Sequence, residues 1–135
     1  VYYITPDMGE VRIVADGFEQ PNGIVGSPDG KTLYIADNGA KKTYVFTINE
    51  DTSLANRTLF CPMGSDGMTL DNQGNVYLTG DGVTVFDKNG QQIEHIPIDE
   101  KWTANVTFGG PNQQTLFITA MDSAYTLEMN VHGVR

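Results

Sequence analysis

The chain has 135 residues, which is enough for one compact domain with a real core. Its formal net charge is −9, and such a surface repels nucleic acid phosphates and anionic lipid. Only 39% of the residues are hydrophobic and no apolar run reaches membrane-spanning length, so neither nucleic acid nor a membrane is expected as a partner.

Short β-branched and aromatic runs, separated by Gly, Asn, Asp and Pro, follow one another along the chain without a helical period. Each run predicts a strand. The predicted strands lie at 1–5, 10–15, 23–26, 32–36, 42–48, 57–61, 67–70, 75–79, 83–86, 92–96, 106–108, 115–119 and 125–129. Turn residues join them, as at Ser27-Pro28-Asp29-Gly30, because Pro presets one central φ and Gly tolerates a positive one.

An internal repeat of roughly 40 residues groups these strands, a length typical of a four-stranded propeller blade. Three pairs of apolar residues mark it: Leu33-Tyr34, Val76-Tyr77 and Leu116-Phe117. Aligning the pairs puts Asn22, Asp66 and Asn105 at one repeat position. The strands then form groups of two, four, four and three, which together correspond to about three blades. A β-sandwich is the alternative, since it also has many short strands, but the three aligned positions favour a propeller.

In a propeller, residues that enter the innermost strand of each blade face the central channel. Three side chains with oxygen atoms would therefore converge near one end, which suits a hard cation. Zinc can also take carboxylate oxygen, but His95 and His132 lie in an outer strand and the tail, away from the predicted site. The alternative is local, because Asn and Asp before Gly often cap turns by hydrogen bonds to backbone.

Cys61 is the only cysteine, which excludes an internal disulfide and a thiolate metal cluster. We expect it to be a buried free thiol. No signal-peptide pattern is visible, and a single cysteine fits a cytoplasmic, periplasmic or secreted protein, so the compartment stays open. The chain begins at Val1 with a predicted strand, and we expect further residues upstream.

Several motifs follow one another over nearly the whole chain: Pro21-Asn22-Gly23-Ile24, Ser27-Pro28-Asp29-Gly30, Leu33-Tyr34-Ile35-Ala36-Asp37, Ser65-Asp66-Gly67-Met68-Thr69-Leu70-Asp71, Gly74-Asn75-Val76-Tyr77 and Asn105-Val106-Thr107-Phe108-Gly109-Gly110. In this order they resemble the SMP-30/gluconolactonase/LRE-like family, whose members are six-bladed propeller lactonases with one divalent cation at the channel mouth. The resemblance implies an all-β fold of the six-bladed β-propeller family, with this chain supplying about three blades. The chain would be one propeller domain over 1–135, its C-terminal half, with a partial blade at 1–20 and blades at 21–62, 63–101 and 102–135.

The resemblance also implies roles for particular residues. Asn22 and Asp66 would bind the cation, with calcium preferred and zinc, magnesium or manganese as alternatives, and Asp66 would be the general base. Asn105 would lie near the substrate. Trp102 could form a wall of the same pocket, for which ordinary packing is the alternative.

One feature departs from the family pattern, since its further glutamate ligand lies in a Glu-Gly-Pro type motif that this chain lacks. Glu10 and Glu19 stand in a different context.

The implied function is a gluconolactonase-like hydrolase, in which metal-activated water opens a sugar lactone. The alternatives are a non-catalytic propeller that binds a partner, and an inactive half-propeller fragment. Besides the small-molecule lactone, the expected partner is the missing N-terminal half or a second copy of the chain, either of which would close the ring.

Overall fold

The computed structural model describes residues 1–134, which form 13 β-strands and no α-helix. The strands are β1 (Tyr2–Ile4), β2 (Val11–Ile13), β3 (Pro21–Gly26), β4 (Thr32–Asp37), β5 (Lys42–Ile48), β6 (Leu54–Cys61), β7 (Met68–Leu70), β8 (Val76–Gly80), β9 (Gly82–Phe86), β10 (Gln92–Ile96), β11 (Thr103–Gly109), β12 (Thr115–Ala120) and β13 (Ser123–Glu128). The all-β prediction is confirmed. A search of residues 1–134 finds no helix with the length and apolar character needed to cross a membrane.

Four antiparallel sheets divide these strands in chain order: β1–β2, β3–β6, β7–β10 and β11–β13. Neighbouring strands in each sheet are also neighbours in the sequence, as in a propeller blade. The sheets therefore have two, four, four and three strands, as the turn signals indicated. The proposed domain boundaries stay a prediction.

Two strands are clearly longer than predicted. β6 begins at Leu54 because the register shifts between Val45 and Thr47, which lets the early part of β6 pair with the end of β5. β11 begins at Thr103, where a second shift leaves one residue outside the ladder. Register shifts of this kind leave no clear mark on the alternation of apolar and polar residues. The sequence pattern therefore did not predict either extension.

The core lies between sheets and on both faces of β7–β10. In β8 every residue is buried, and Val76 and Leu78 contact one cluster while Tyr77, pointing the other way, belongs to the second. Edge-to-face aromatic pairs join the sheets, with ring centroids 6.2 Å apart for Phe60–Phe86 and 5.2 Å apart for Tyr77–Phe108. Each fully buried large side chain contributes about 1.5–3 kcal/mol, so packing between sheets is a main source of stability.

The β1–β2 hairpin presents one apolar face to solvent. Tyr2 is paired with Ile13 and Ile4 with Val11, and these side chains are 66%, 61%, 53% and 60% exposed respectively. We call these four residues the hairpin face.

Cys61 is buried and free, as predicted. Burial raises the pKa of its thiol to about 11. The thiol therefore stays protonated near neutral pH, where a protonated thiol is a poor nucleophile.

Candidate functional site

Three of the four predicted site residues meet in the structure. Asn22 near the start of β3, Asp66 just before β7 and Trp102 just before β11 belong to three successive sheets. The Asn22 Nδ2 atom donates a hydrogen bond of 2.7 Å to Asp66 Oδ1, and Trp102 Nε1 donates one of 3.1 Å to Asp66 Oδ2. These side chains thus bond to one another across sheets, which is more than local turn capping.

Asn38 is a fourth member of this cluster, and the sequence did not predict it. It follows the end of β4, and its Nδ2 atom donates to Asp66 Oδ1 at 2.5 Å. Asp66 Oδ1 therefore accepts from two amides and Oδ2 from one indole. Asn38 precedes Gly39, so in the sequence it resembled an ordinary turn residue.

The cluster lines an open depression of about 540 Å³. Its lining residues are Gln20, Asn22, Asn38, Lys41, Gly64, Asp66, Thr79, Gly80 and Trp102. This volume lies within the range of about 300–1,000 Å³ that is usual for small-molecule sites. The lining is mostly polar, so the depression suits a polar ligand.

Glycine follows both Asn22 and Asp66 because the next sheet passes very close. The Gly23 N–H donates to Ser65 O at 2.9 Å, and a Cβ atom at Gly23 would lie only 2.9 Å from that oxygen. A Cβ atom at Gly67 would lie 2.6 Å from the Asn105 Cα. The glycines therefore allow the close approach that brings the site side chains together.

Buried hydroxyl groups fix the backbone on both sides of Asp66. Ser65 Oγ donates to Gly67 O at 2.6 Å and accepts from Thr79 N at 2.8 Å, while Gly67 N donates to Thr79 Oγ1 at 3.0 Å. Ser65 and Thr79 are both buried. This network ties the Asp66 loop to β8, so the carboxylate is held by the scaffold as well as by its own partners.

A buried carboxylate holds the ends of β3 and β4 together. Asp37 Oδ2 accepts from Glu19 N at 2.9 Å, and Oδ1 accepts from Gln20 N at 2.8 Å and Ala40 N at 3.3 Å. Burial raises the pKa of Asp37, but these backbone donors outweigh burial and hold it below its ordinary value. The two amides that bind Asp66 project from the segments fixed in this way.

We expect Asp37→Asn to destabilise the chain by about 1–3 kcal/mol at pH 7, because an amide nitrogen would face backbone donors. The pKa of Asp37 is lowered in the folded state, so its contribution is present above the unfolded value of 3.8 and is lost as pH falls through the folded value. Urea unfolding at pH 7 and at pH 3 should therefore show a smaller difference between the two proteins at pH 3. Asp99→Asn, at an exposed position, is the control; equal stability of Asp37→Asn and wild type at pH 7 would contradict this account.

Asn105 does not join the cluster, and the predicted repeat position is wrong by one residue. The equivalent ladder partners in the three sheets are Gly26 with Leu33, Leu70 with Val76, and Phe108 with Leu116. Counting back four residues from the first of each pair reaches Asn22, Asp66 and Ala104. These partners are seven, six and eight positions apart in the chain, so equal spacing in the sequence selected the residue after the equivalent one in β11.

A slip of one residue turns a side chain to the opposite face of a strand. The Asn105 Oδ1 atom accepts from Val106 N at 2.9 Å, and its side chain borders a separate depression with Met68, Thr107 and Phe117. A substrate contact by Asn105 stays a prediction.

The donors around Asp66 fit a hard divalent cation. One carboxylate and the two amide side chains of Asn22 and Asn38 carry the oxygen types that calcium and magnesium prefer, although it is the amide nitrogens that face Asp66 here. Residues 1–134 contain no group of three or more His, Cys, Asp and Glu side chains that could hold a metal ion. Asp66 is the one carboxylate among the described residues that line the depression, and the amides would complement it.

Comparison with known proteins places these features in context. A sequence model described as "SMP-30/Gluconolactonase/LRE-like region" matches residues 1–122. Lactonohydrolase oryH of Aspergillus oryzae is 31% identical over 166 aligned positions, covering 98% of this chain and 34% of that protein.

Solved structures with a similar fold include a gluconolactonase from Xanthomonas campestris, with a TM-score of 0.83, 32% identity, and coverage of 98% of this chain and 44% of that one. The calcium-binding protein regucalcin from Agrobacterium tumefaciens has a TM-score of 0.85 at 23% identity, with coverage of 98% and 53%. The propeller fold class is thereby confirmed. The chain spans between about a third and about half of the length of these proteins.

Proposed function

Because this chain belongs to the SMP-30/gluconolactonase/LRE-like family, we propose that it carries the site of a lactone hydrolase that depends on a divalent cation, with calcium preferred, and opens a sugar lactone. The observation that carries the proposal is the Asp66 carboxylate, held in an open polar depression by donors from both neighbouring sheets. Relatives named lactonohydrolase and gluconolactonase support the reaction class.

The two oxygens of Asp66 have different surroundings. Oδ1 accepts from two amides, whereas Oδ2 accepts from the Trp102 indole alone. Oδ2 therefore has more capacity to accept a proton from a water molecule in the depression. That water would pass its proton to Asp66, the general base, as it attacks the lactone carbonyl carbon, and Asp66 would return the proton to the ring oxygen as the ring C–O bond breaks.

The neighbours of Asp66 would orient it and line the ligand space. Trp102 donates its indole hydrogen bond to the Asp66 carboxylate from one side, and it also lines the depression. A divalent cation bound here would supply Lewis acidity toward the lactone carbonyl. Asn22 and Asn38 would contribute neutral amide oxygens, which leave positive charge at the site.

Cation binding is testable by fluorescence, because Trp102 is the only tryptophan and its indole contacts Asp66. We expect calcium to change its emission and to raise the melting temperature of the chain, and a chelator to reverse both changes. At 100 times the dissociation constant the stabilisation should be about 2.7 kcal/mol.

The control for this titration is Asp66→Ala, in which calcium should change neither signal. Magnesium, manganese and zinc, tested in parallel, would rank the ions. If none of the four ions altered the wild-type emission or melting temperature, the site would not bind a cation, and a non-catalytic binding role would be favoured instead.

A further inference from the structure

Lys41 brings a positive charge to the Asp66 depression. Among the described residues it is the only cationic one that lines this space, beside one carboxylate and otherwise uncharged groups. The chain as a whole carries a net charge of −9. The lining is therefore formally neutral, with one ammonium group and one carboxylate, although the chain as a whole is acidic.

The backbone holds Lys41 in a defined position relative to the site. It closes the turn between β4 and β5, with its N–H donating to Asn38 O at 3.3 Å, and its φ angle is 52°. Residues other than glycine seldom adopt this left-handed conformation, and it persists where surrounding contacts fix it. Here Asp37 binds the N–H of the preceding residue, Ala40. The turn that places Asn38 beside Asp66 therefore also fixes the backbone of Lys41.

The Lys41 ammonium group forms no ion pair with any residue in the part of the chain that the structure describes. The ion pair found in residues 1–134 joins Arg12 and Glu10, at 3.7 Å. An exposed, unpaired ammonium group beside a ligand-sized depression is available to a ligand.

From these observations we infer that Lys41 recognises an anionic substituent of the lactone, such as a phosphate, sulfonate or carboxylate group. The inference rests on the proposed function and narrows its substrate class to lactones that carry a negative charge away from the ester. An ammonium group offers three donors and a compact charge to such a substituent. The amide and hydroxyl groups of the lining can bind sugar hydroxyls, but they cannot neutralise a charge.

The test compares glucono-δ-lactone with its 6-phosphate as substrates of the whole natural protein. We expect Lys41→Gln to lower the ratio of kcat/KM for the phosphorylated lactone over the neutral one by about 10- to 100-fold, the usual scale of a charge-assisted hydrogen bond. The 6-sulfonate analogue, a monoanion, should show a smaller loss than the phosphate. High salt should reduce the wild-type preference, because an exposed charge is screened.

Lys42→Gln is the matched control, since Lys42 is the next residue and does not line the depression. It should leave the ratio unchanged. An unchanged ratio in Lys41→Gln would overturn the inference, and so would an equal loss for both lactones, which would place Lys41 at the reacting ester.

A binding measurement separates this inference from the proposed function. If wild type hydrolyses neither lactone, the proposed function fails, but titration of Trp102 fluorescence with 6-phosphogluconate still tests Lys41. Binding about tenfold or more weaker in Lys41→Gln than in wild type supports an anion-binding role. Equal binding in the two proteins, or no binding to wild type, overturns it.

Discussion

We expect Asp66→Asn to lower the turnover of a sugar lactone by about 10²- to 10⁴-fold, the usual contribution of a general base. An amide in place of the carboxylate can still accept hydrogen bonds, but it cannot take a proton from water. The fold should persist, because Asp66 is only partly buried and Asn has the same shape. The measurement is kcat/KM on the whole natural protein at saturating calcium, together with the melting temperature.

Asp81→Asn is the control for this variant, because Asp81 is exposed and lies outside the depression. Its activity should equal that of wild type. Near wild-type turnover by Asp66→Asn under the same conditions would assign the base to another residue.

The second large expected effect concerns the oligomeric state of the chain in solution. At micromolar concentration we expect the 135-residue chain to scatter light as a species larger than its 14.8 kDa monomer. The hairpin face is apolar and exposed, and soluble monomers rarely expose a contiguous apolar patch above a few hundred Å². Among residues 1–134, β13 is the last strand of its sheet, and its outer edge adds free backbone groups. A second copy, or the rest of a longer natural protein, would cover these surfaces.

Charge placed on the hairpin face tests this expectation. Ile4→Lys combined with Val11→Lys should shift the population toward the monomer. Ile93→Lys is the matched control, because Ile93 is an exposed apolar residue of β10, outside that face. A well-folded, monodisperse wild-type species of about 15 kDa would refute the prediction.

The sequence predicted the meeting of Asn22 and Asp66 because equivalent positions of a repeat come close around a common axis. The same reasoning failed for Asn105, because the ladder partners of β11 and β12 are one position further apart than those of β3 and β4, and the alignment selected a residue on the other face of the strand. Spacing in a sequence does not distinguish a residue in the ladder from one in a turn. The register, and with it the side-chain direction, is fixed only when the strands pair.

Asn38 and Lys41 could not be predicted for a different reason. Their role depends on how closely the β4–β5 turn approaches the segment before β7. A Cβ atom at Gly64 would lie 2.8 Å from the Asn38 Cα, so this approach requires a glycine on the neighbouring segment. No periodic pattern encodes such a distance, whereas the strands and their apolar positions follow from local alternation.

The hydrogen bonds to Asp66 also bear on the order of folding. They join residues that are 44, 28 and 36 positions apart in the chain, and they link three sheets that are each built from local hairpins. Hairpins of neighbouring strands form early, and contacts between distant segments form late because loop closure opposes them. The complete set of hydrogen bonds to Asp66 therefore forms only when the third sheet docks. A chain arrested with two docked sheets would hold Asp66 by Asn22 and Asn38 but would lack the Trp102 bond, so formation of that bond would mark the last step of assembly.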